Sequence, residues 1–556
     1  MSTCKNCHQD FTITDQDRQF YHKINLPEPV DCPRCRDINR MAWRAERFLY
    51  PRTCAGSGKN ILSIVAPDSS YQVFSNEYWY SDQWDGLNYG RDYNPEQPFF
   101  EQYYKMAVAV PRLYAFAFQN INSEYSNGSQ QNKDCYLLFV SDRNEDCYYV
   151  YGIFACKDTM DCLNMDKSEL CYECIDSFDC YHCLYGWGLR NCRDVYFCYD
   201  CSGCSDCFMC SNLRSRQYCW HNEQLSAEEY QKRLAGYDLG SRRVLVGLET
   251  EFRRLAQRAI HQYAYLVKCT DCTGDLLKNC KRSLNCYESY DLIDCYNLQV
   301  GVDSKWCRDC YVAVDQCELC YDCVSVVNSY NCHFCIATWH NRDCYYCDTC
   351  VSCHDCFGCT GLKHKSFCLL NKQYSETEYR QLREKAISQM QKAGEWGQFF
   401  PAQYSPFAYN ETIACDLYPL TKEEVLKRGW RWQDNLPGTF GKETVKEVAD
   451  NIKDITEQII KEVLVCQNCQ KNYKIIPQEL ALYHKQGLPV PDSCFNCRHL
   501  KRWQSRNPRK LWTRQCDCRE TKHEHQERCS NRFETPYPST KLEKVYCEEC
   551  YQKEIY

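Results

Sequence analysis

The chain has 556 residues, among them 49 cysteines and 44 tyrosines, and a net charge of −7. Single cores stop growing at ~250–300 residues, so several domains are expected. The 14% aromatic content excludes a disordered chain, and no apolar run approaches the ~20 residues of a membrane-spanning helix.

The first stretch, MSTCKNCHQDFTITDQDRQF, lacks the apolar segment of a secretory signal. The expected location is therefore the reducing cytoplasm, where clustered cysteines are metal ligands or packed thiols more often than disulfides. Residues 1–60 read as a zinc ribbon with a basic–aromatic extension. Cys4, Cys7, Cys32 and Cys35 form two Cys-x2-Cys pairs separated by 24 residues. Four thiolates close a tetrahedral Zn2+ site and leave no position for a substrate, which favours a structural role. Residues 61–134, rich in Trp, Tyr and Phe, read as a segment packing on this ribbon or capping the first cysteine ladder.

Residues 135–220 hold that ladder. All fourteen gaps between its successive cysteines are multiples of three, as are sixteen of eighteen gaps in a second ladder within 269–370. Neither a strand nor a helix has that period, but a longer register does. Cys320, Cys332, Cys344, Cys356 and Cys368 recur every 12 residues, as do Cys323, Cys335, Cys347 and Cys359. Thr159 and Val195 fill empty slots of the same grid in the first ladder, which suits a core position better than a metal ligand. The expected fold is mostly β: two copies of a cysteine-rich parallel β-solenoid with ~12 residues per rung, capping helices, and zinc ribbons at both ends. Asp and Asn before the cysteines suit corners, and small buried cysteines suit a narrow interior. Disulfides between rungs and thiolate metal clusters are the competing readings. Cys269 and Cys272 fall outside the grid.

Residues 221–268 read as a helical cap and connector, with Leu245, Leu248, Phe252 and Leu255 on one face. Residues 371–400 read as a second capping helix. Ser226–Glu229 and Ser375–Glu378 have the spacing of a capping box. Residues 401–461 read as an ordered connector with a helix opening at Thr421.

Residues 462–556 repeat the ribbon with Cys466, Cys469, Cys494 and Cys497, again separated by 24 residues. The match continues, so that Cys516 answers Cys54, while Ser75 and Tyr78 stand where Cys547 and Cys550 stand. The C-terminal half also inserts CRETKHEHQERC at 518–529. Residues special to that half, Cys518, Cys529, Cys547 and Cys550, are expected to bind a third zinc, giving two to three Zn2+ in all. Cys516 is assigned to packing, and His523 or His525 is able to replace one ligand.

The terminal blocks, with CxxC, a Phe-Tyr or Leu-Tyr pair, Pro and CxxCR, resemble the bacterial "probable zinc-ribbon" domain family, which implies a ribbon and a metal but no activity. The whole order, with DCFGCTGLKHKSFCLLNKQY in its second ladder, resembles uncharacterised full-length cysteine-rich zinc-ribbon proteins of uncultivated small-genome bacteria.

The sharpest functional cue is basic. RHLKRWQSRNPRKLWTR and RCRDINRMAWRAERFLYPR interleave Arg and Lys with aromatics beside the ribbons, a composition suited to phosphate contact and base stacking. Arg36, Arg40, Arg44, Lys501, Arg502, Trp503, Arg506, Arg509 and Lys510 are the candidate nucleic-acid residues. The alternative is that these cations pair with acids of the same chain. The expected function is a non-enzymatic zinc-binding scaffold that recognises a macromolecule, nucleic acid through these strips or another protein, with no membrane contact. A multi-metal or redox thiol protein is the second alternative. No Walker loop, G-x-S-x-G or H-E-x-x-H motif occurs.

Overall fold

A computed structural model of the protein describes residues 1–164, 171–175, 181–188, 193–295, 299–301, 311–314, 321–322, 324–327, 336–339, 342–523 and 525–556. The grid cysteines Cys320, Cys323, Cys332 and Cys335 lie outside them. The fold is a β-solenoid of about 16 turns with about 12 residues per turn and few helices, and cysteine clusters sit toward both ends of the chain. Parallel pairing places Arg193 beside Ser205, and Ser205 beside Gln217.

The period of three is the side of one turn. From Gln131 to Asn164 every third residue has a positive φ, between 51° and 68°. Such left-handed residues bend the chain sharply, and four of them close a turn of ~12 residues. Asp and Asn tolerate this conformation better than most side chains, which explains Asp134, Asp146, Asp158, Asp161 and Asn164 at corners. The residue after a corner is buried in the interior, as are Cys135, Leu138, Cys147, Val150 and Ile153. The next residue bridges to the following turn, as Tyr148 does to Met160 and Met160 to Tyr172. Rings stack from turn to turn, Phe208 on Trp220 at 4.2 Å in this column and Tyr185 on Phe197 at 4.9 Å in a column of corners.

Cysteine suits the interior for two reasons. It is small and apolar, and its S–H is a weak donor. Cys147 Sγ donates to the Glu145 carbonyl at 3.3 Å, and Cys207 Sγ to the Ser205 carbonyl at 3.3 Å. Ser141 and Thr159 make the same bond two residues back, at 2.8 and 3.0 Å. Among the described residues the ladder cysteines are free thiols, and none of them falls in a group able to hold a metal ion. Val195 precedes Cys207 by one turn in the same column. Cys207→Val is therefore expected to cost ~1 kcal/mol or less in urea unfolding and to leave bound metal unchanged. Loss of a metal ion in that variant would restore the cluster reading.

Two sequence assignments change. Leu266 pairs with Leu277, and Thr270 with Lys281, so this turn has 11 residues. Cys269 thus shares a column with Cys280, and its place off the grid is a one-residue deletion. Ala313 pairs with Val326, a turn of 13. The first ladder also begins earlier than residue 135, because Ala117 already pairs with Ser129. Part of the expected packing segment 61–134 is ladder. Ser123, Ser126, Ser129 and Asn132 are buried there instead of cysteine, and Asn132 donates to Asn120 at 3.2 Å.

The residues group into two compact units. One holds Met1–Ala115, Ala264–Leu436 and Arg509–Leu511, and the other holds Phe116–Tyr263, Pro437–Pro508 and Trp512–Tyr556. The Cys4–Cys35 cluster shares a unit with the turns that follow residue 264, and the Cys466–Cys497 cluster shares one with the turns between residues 116 and 220. Within the second unit, Glu223–Gln224 folds back antiparallel on Gln217–Trp220 and covers part of the open edge. The helix Ala227–Leu234 follows, N-capped by Ser226, with Tyr230 near Trp220. The helix Arg242–Arg258 sets Phe252 on Trp187 at 5.0 Å. Within the first unit, Lys372–Gln373 folds back on Ser366–Leu369, and a Ser375–Glu378 capping box opens the helix Glu376–Ala393. No helix among the described residues is long and apolar enough to cross a membrane.

Candidate metal centres

Each terminal centre grows from a tight knuckle and a helix start. In the N-terminal knuckle the His8 amide donates to the Cys4 carbonyl at 3.0 Å, with His8 at φ 59°. In the C-terminal one the Gln470 amide donates to the Cys466 carbonyl at 2.9 Å, with Gln470 at φ 60°. The second pair begins at a helix N-cap, Cys32 for Pro33–Met41 and Cys494 for Phe495–Gln504. Its amide donates back to the first thiol, Cys32 to Cys4 and Cys494 to Cys466, both at 3.2 Å. Helix N-termini and amide donors favour thiolate. Burial pushes Cys466 up, but the amides of Cys494, Cys469 and Asn468 outweigh it and bring the thiol down to about 7.

All four thiols of each predicted ribbon site converge: Cys4, Cys7, Cys32 and Cys35 in one, and Cys466, Cys469, Cys494 and Cys497 in the other, their Sγ atoms within 4.8 Å of one another. A tetrahedral ion with ~2.3 Å metal–sulfur bonds holds its sulfurs about 3.8 Å apart. Cys7 and Cys32 are 3.7 Å apart, and Cys469 and Cys494 are 3.6 Å apart. The groups fit a metal ion.

The third centre differs from its expected ligand set. Cys516, Cys529, Cys547 and Cys550 form the tetracysteine group, and Cys518 falls in a neighbouring one with His523, His525 and Cys550. Cys516, assigned to packing by the sequence, is a candidate ligand by its geometry. The Cys547 amide donates to Cys516 Sγ at 3.2 Å, and Cys547 N-caps the helix Glu548–Ile555. The N-terminal half repeats this frame without the ligands. There the Ser75 amide donates to Cys54 Sγ at 3.2 Å, and Ser75 N-caps Asn76–Tyr80. Hairpin register completes the equivalence. Thr53 pairs with Asn60 and Gln515 with Arg532, so Ser57 occupies the place of Cys529. Cys54 persists as the last thiol of a centre in which Ser57, Ser75 and Tyr78 replace the other three. Comparing only the shared and unshared cysteines hid this, because Cys516 is shared and Cys518 is not.

The chain matches no family model and no curated protein.

Three guanidinium groups of the basic strips, those of Arg40, Arg498 and Arg502, are buried. Arg40 pairs with Asp37 at 2.8 Å and with Asp322 of the second ladder. Its equivalent, Arg502, is 2% exposed and pairs with Asp161 at 2.9 Å and Glu173 at 3.0 Å of the first ladder. Arg498 joins Asp161 at 3.0 Å, and Lys501 reaches Glu249 at 2.6 Å. Arg44 pairs with Glu46 at 2.6 Å, Arg509 with Glu288 at 2.8 Å, and Arg36 donates to the Tyr21 hydroxyl at 3.3 Å. Trp503 is buried against Tyr151, with Arg506 over its ring at 4.9 Å. Lys510 is exposed. Arg40, Arg498 and Arg502 thus pair with acids of the same chain, the alternative raised by the sequence.

At the centre of the second unit's network, the Glu479 carboxylate accepts from Tyr149 at 2.5 Å and Tyr483 at 2.9 Å. Burial pushes Glu479 from 4.5 up to about 7, against the opposing pull of Arg498 and Tyr149. A carboxyl raised on folding contributes stability that is full below its unfolded pKa and lost as pH rises through its folded value. Urea midpoints are thus expected to fall between about pH 5 and 8, and Glu479→Gln to flatten that slope. An unchanged slope in the variant would place the titration elsewhere.

Proposed function

We propose that this protein is a non-enzymatic zinc-binding scaffold, in which ribbons brace cysteine-filled ladders that present repetitive outer columns to a protein partner. The observation that carries this reading is the convergence of four thiols at each of three centres. A closed four-thiolate site suits zinc and structural work. The burial of Arg40, Arg498 and Arg502 in carboxylate pairs favours a protein partner over nucleic acid, since paired guanidinium groups are not available to phosphates. A cleft lined by Tyr172, Glu173, Arg242 and Arg498 has a volume of about 90 Å³, well below the ~300–1,000 Å³ of small-molecule sites. In this reading the two ladders are duplicates, each closed by its helix, within a cysteine-rich group of bacterial proteins.

Elemental analysis of chain purified under reducing conditions tests the metal, with zinc expected at the three tetracysteine centres. Zinc-free protein with intact ribbons would end the proposal. Salt-dependent binding to random RNA and single-stranded DNA tests the partner class. Tight binding lost on reversing the charge of Lys510 and Arg506 would favour the nucleic-acid reading.

A further inference from the structure

The C-terminal hairpin loop is longer than its N-terminal equivalent. Six residues separate Thr53 from Asn60, whereas 16 separate Gln515 from Arg532, so the insertion is ten residues. It lies between Cys516 and Cys529 and carries Cys518, His523 and His525. The Sγ of Cys518, a nitrogen of each histidine and the Sγ of Cys550 lie within 4.8 Å of one another. Cys550 also belongs to the tetracysteine group with Cys516, Cys529 and Cys547.

The histidines are arranged as ligands are. His523 Nδ1 faces Cys518 Sγ at 3.1 Å, while its Nε2 faces the Glu554 carboxylate at 3.2 Å. His525 Nδ1 donates to the Glu527 carbonyl at 2.7 Å, leaving Nε2 toward Cys550 Sγ at 3.6 Å. A carboxylate or carbonyl on the second ring nitrogen is the usual partner of a metal-bound histidine, because it fixes the tautomer and the ring. Nitrogen and sulfur on one tetrahedral zinc lie about 3.6 Å apart. Cys518, His523 and Cys550 are buried, and His525 is half-buried.

We propose that the insertion builds a second zinc site beside the third centre, and that the Cys550 thiolate bridges the two ions. One ion takes Cys516, Cys529, Cys547 and Cys550, and the other takes Cys518, His523, His525 and the same Cys550. A thiolate sulfur has lone pairs enough for two metals, and sharing it offsets charge. Alone, a four-thiolate zinc carries a net −2, whereas two zinc ions on five thiolates and two neutral imidazoles carry −1. The bond change is simple: Cys518 loses its proton to solvent on binding, and no oxidant or reductant is needed.

This inference rests on the zinc reading, and the test separates the two. The full chain is saturated with Zn2+, dialysed and counted by elemental analysis. Four ions per chain are expected, one for each group. The double variant His523→Ala/His525→Ala is expected to hold three. So is a chain in which residues 517–528 are replaced by Ala-Gly, which restores the Cys-x2-Cys spacing between Cys516 and Cys529 without the extra ligands. In chain loaded with 113Cd, the two C-terminal resonances should show mutual cadmium coupling through Cys550, and both variants should lose it. Three ions in the parent chain would sink the second site while sparing the scaffold. Two ions would do the same, none would sink both, and four ions without cadmium coupling would sink the bridge.

Discussion

Stripping metal from the chain with a strong chelator at neutral pH is expected to unfold both terminal knuckles while the ladder strands persist. Structural zinc in small knuckles is worth ~10–16 kcal/mol near pH 7, more than such short hairpins and helices gain from packing alone. The N-terminal group is small: among the described residues its buried cluster is Cys4, Cys32 and Cys35, with Cys7 and Phe11 packed against it. The ladders are different. Their turns are joined by parallel strand pairing, as at Cys207 beside Cys219, and their interior thiols hold no metal in this reading. Hydrogen exchange should therefore report faster exchange in Phe495–Gln504 after chelation, and little change in Ser205–Phe208. Equal collapse of both segments would mean that ladder thiols depend on metal as well. Cys466→Ser should reproduce the local loss at the C-terminal ribbon without chelator.

The second large effect is expected at Arg502. Its guanidinium is buried against Asp161 and Glu173, and removing one partner of a buried pair leaves an uncompensated charge. Arg502→Met should cost ~3–5 kcal/mol in urea unfolding of that unit. Adding Glu173→Gln should recover part of the loss, since the stranded carboxylate is then neutral. If Arg502 served a phosphate instead, stability would hold and only nucleic-acid binding would change. A loss under ~1 kcal/mol, with stability restored by salt, would refute the brace. Arg40 offers the same experiment in the first unit, against Asp322.

Much of the ladder was legible because its rule is local. A corner that needs positive φ favours Asp or Asn, and the next position needs a small buried side chain; both preferences act within three residues. The pattern failed where chemistry substituted for cysteine. Ser123, Ser126 and Asn132 serve the earliest turns, and a count of cysteines passes over them. It failed again at Cys269, where one missing residue shifts the phase and strand pairing alone restores the column.

The metal centres divide in the same way. Cys-x2-Cys pairs declare themselves because two thiols on one knuckle must be close in sequence to share an ion. The third centre is split by a long loop, so the choice between Cys516 and Cys518 depended on hairpin register and on which amide faces which sulfur. No spacing rule distinguishes them.

By itself the sequence determined the usual turn length, the cysteines that line most of the solenoid and the eight thiols of the outer centres, because corner preference, side-chain size and knuckle geometry are all short-range. The tertiary structure alone decided that the Cys4–Cys35 cluster groups with the turns after residue 264 and the Cys466–Cys497 cluster with those of residues 116–220. It also decided which cations of the basic strips are buried in carboxylate pairs, Arg40, Arg498 and Arg502 among them. Both outcomes depend on carboxylates far away in the chain, such as Asp322 for Arg40 and Asp161 for Arg502, and charge pairing of that kind leaves no local period to read.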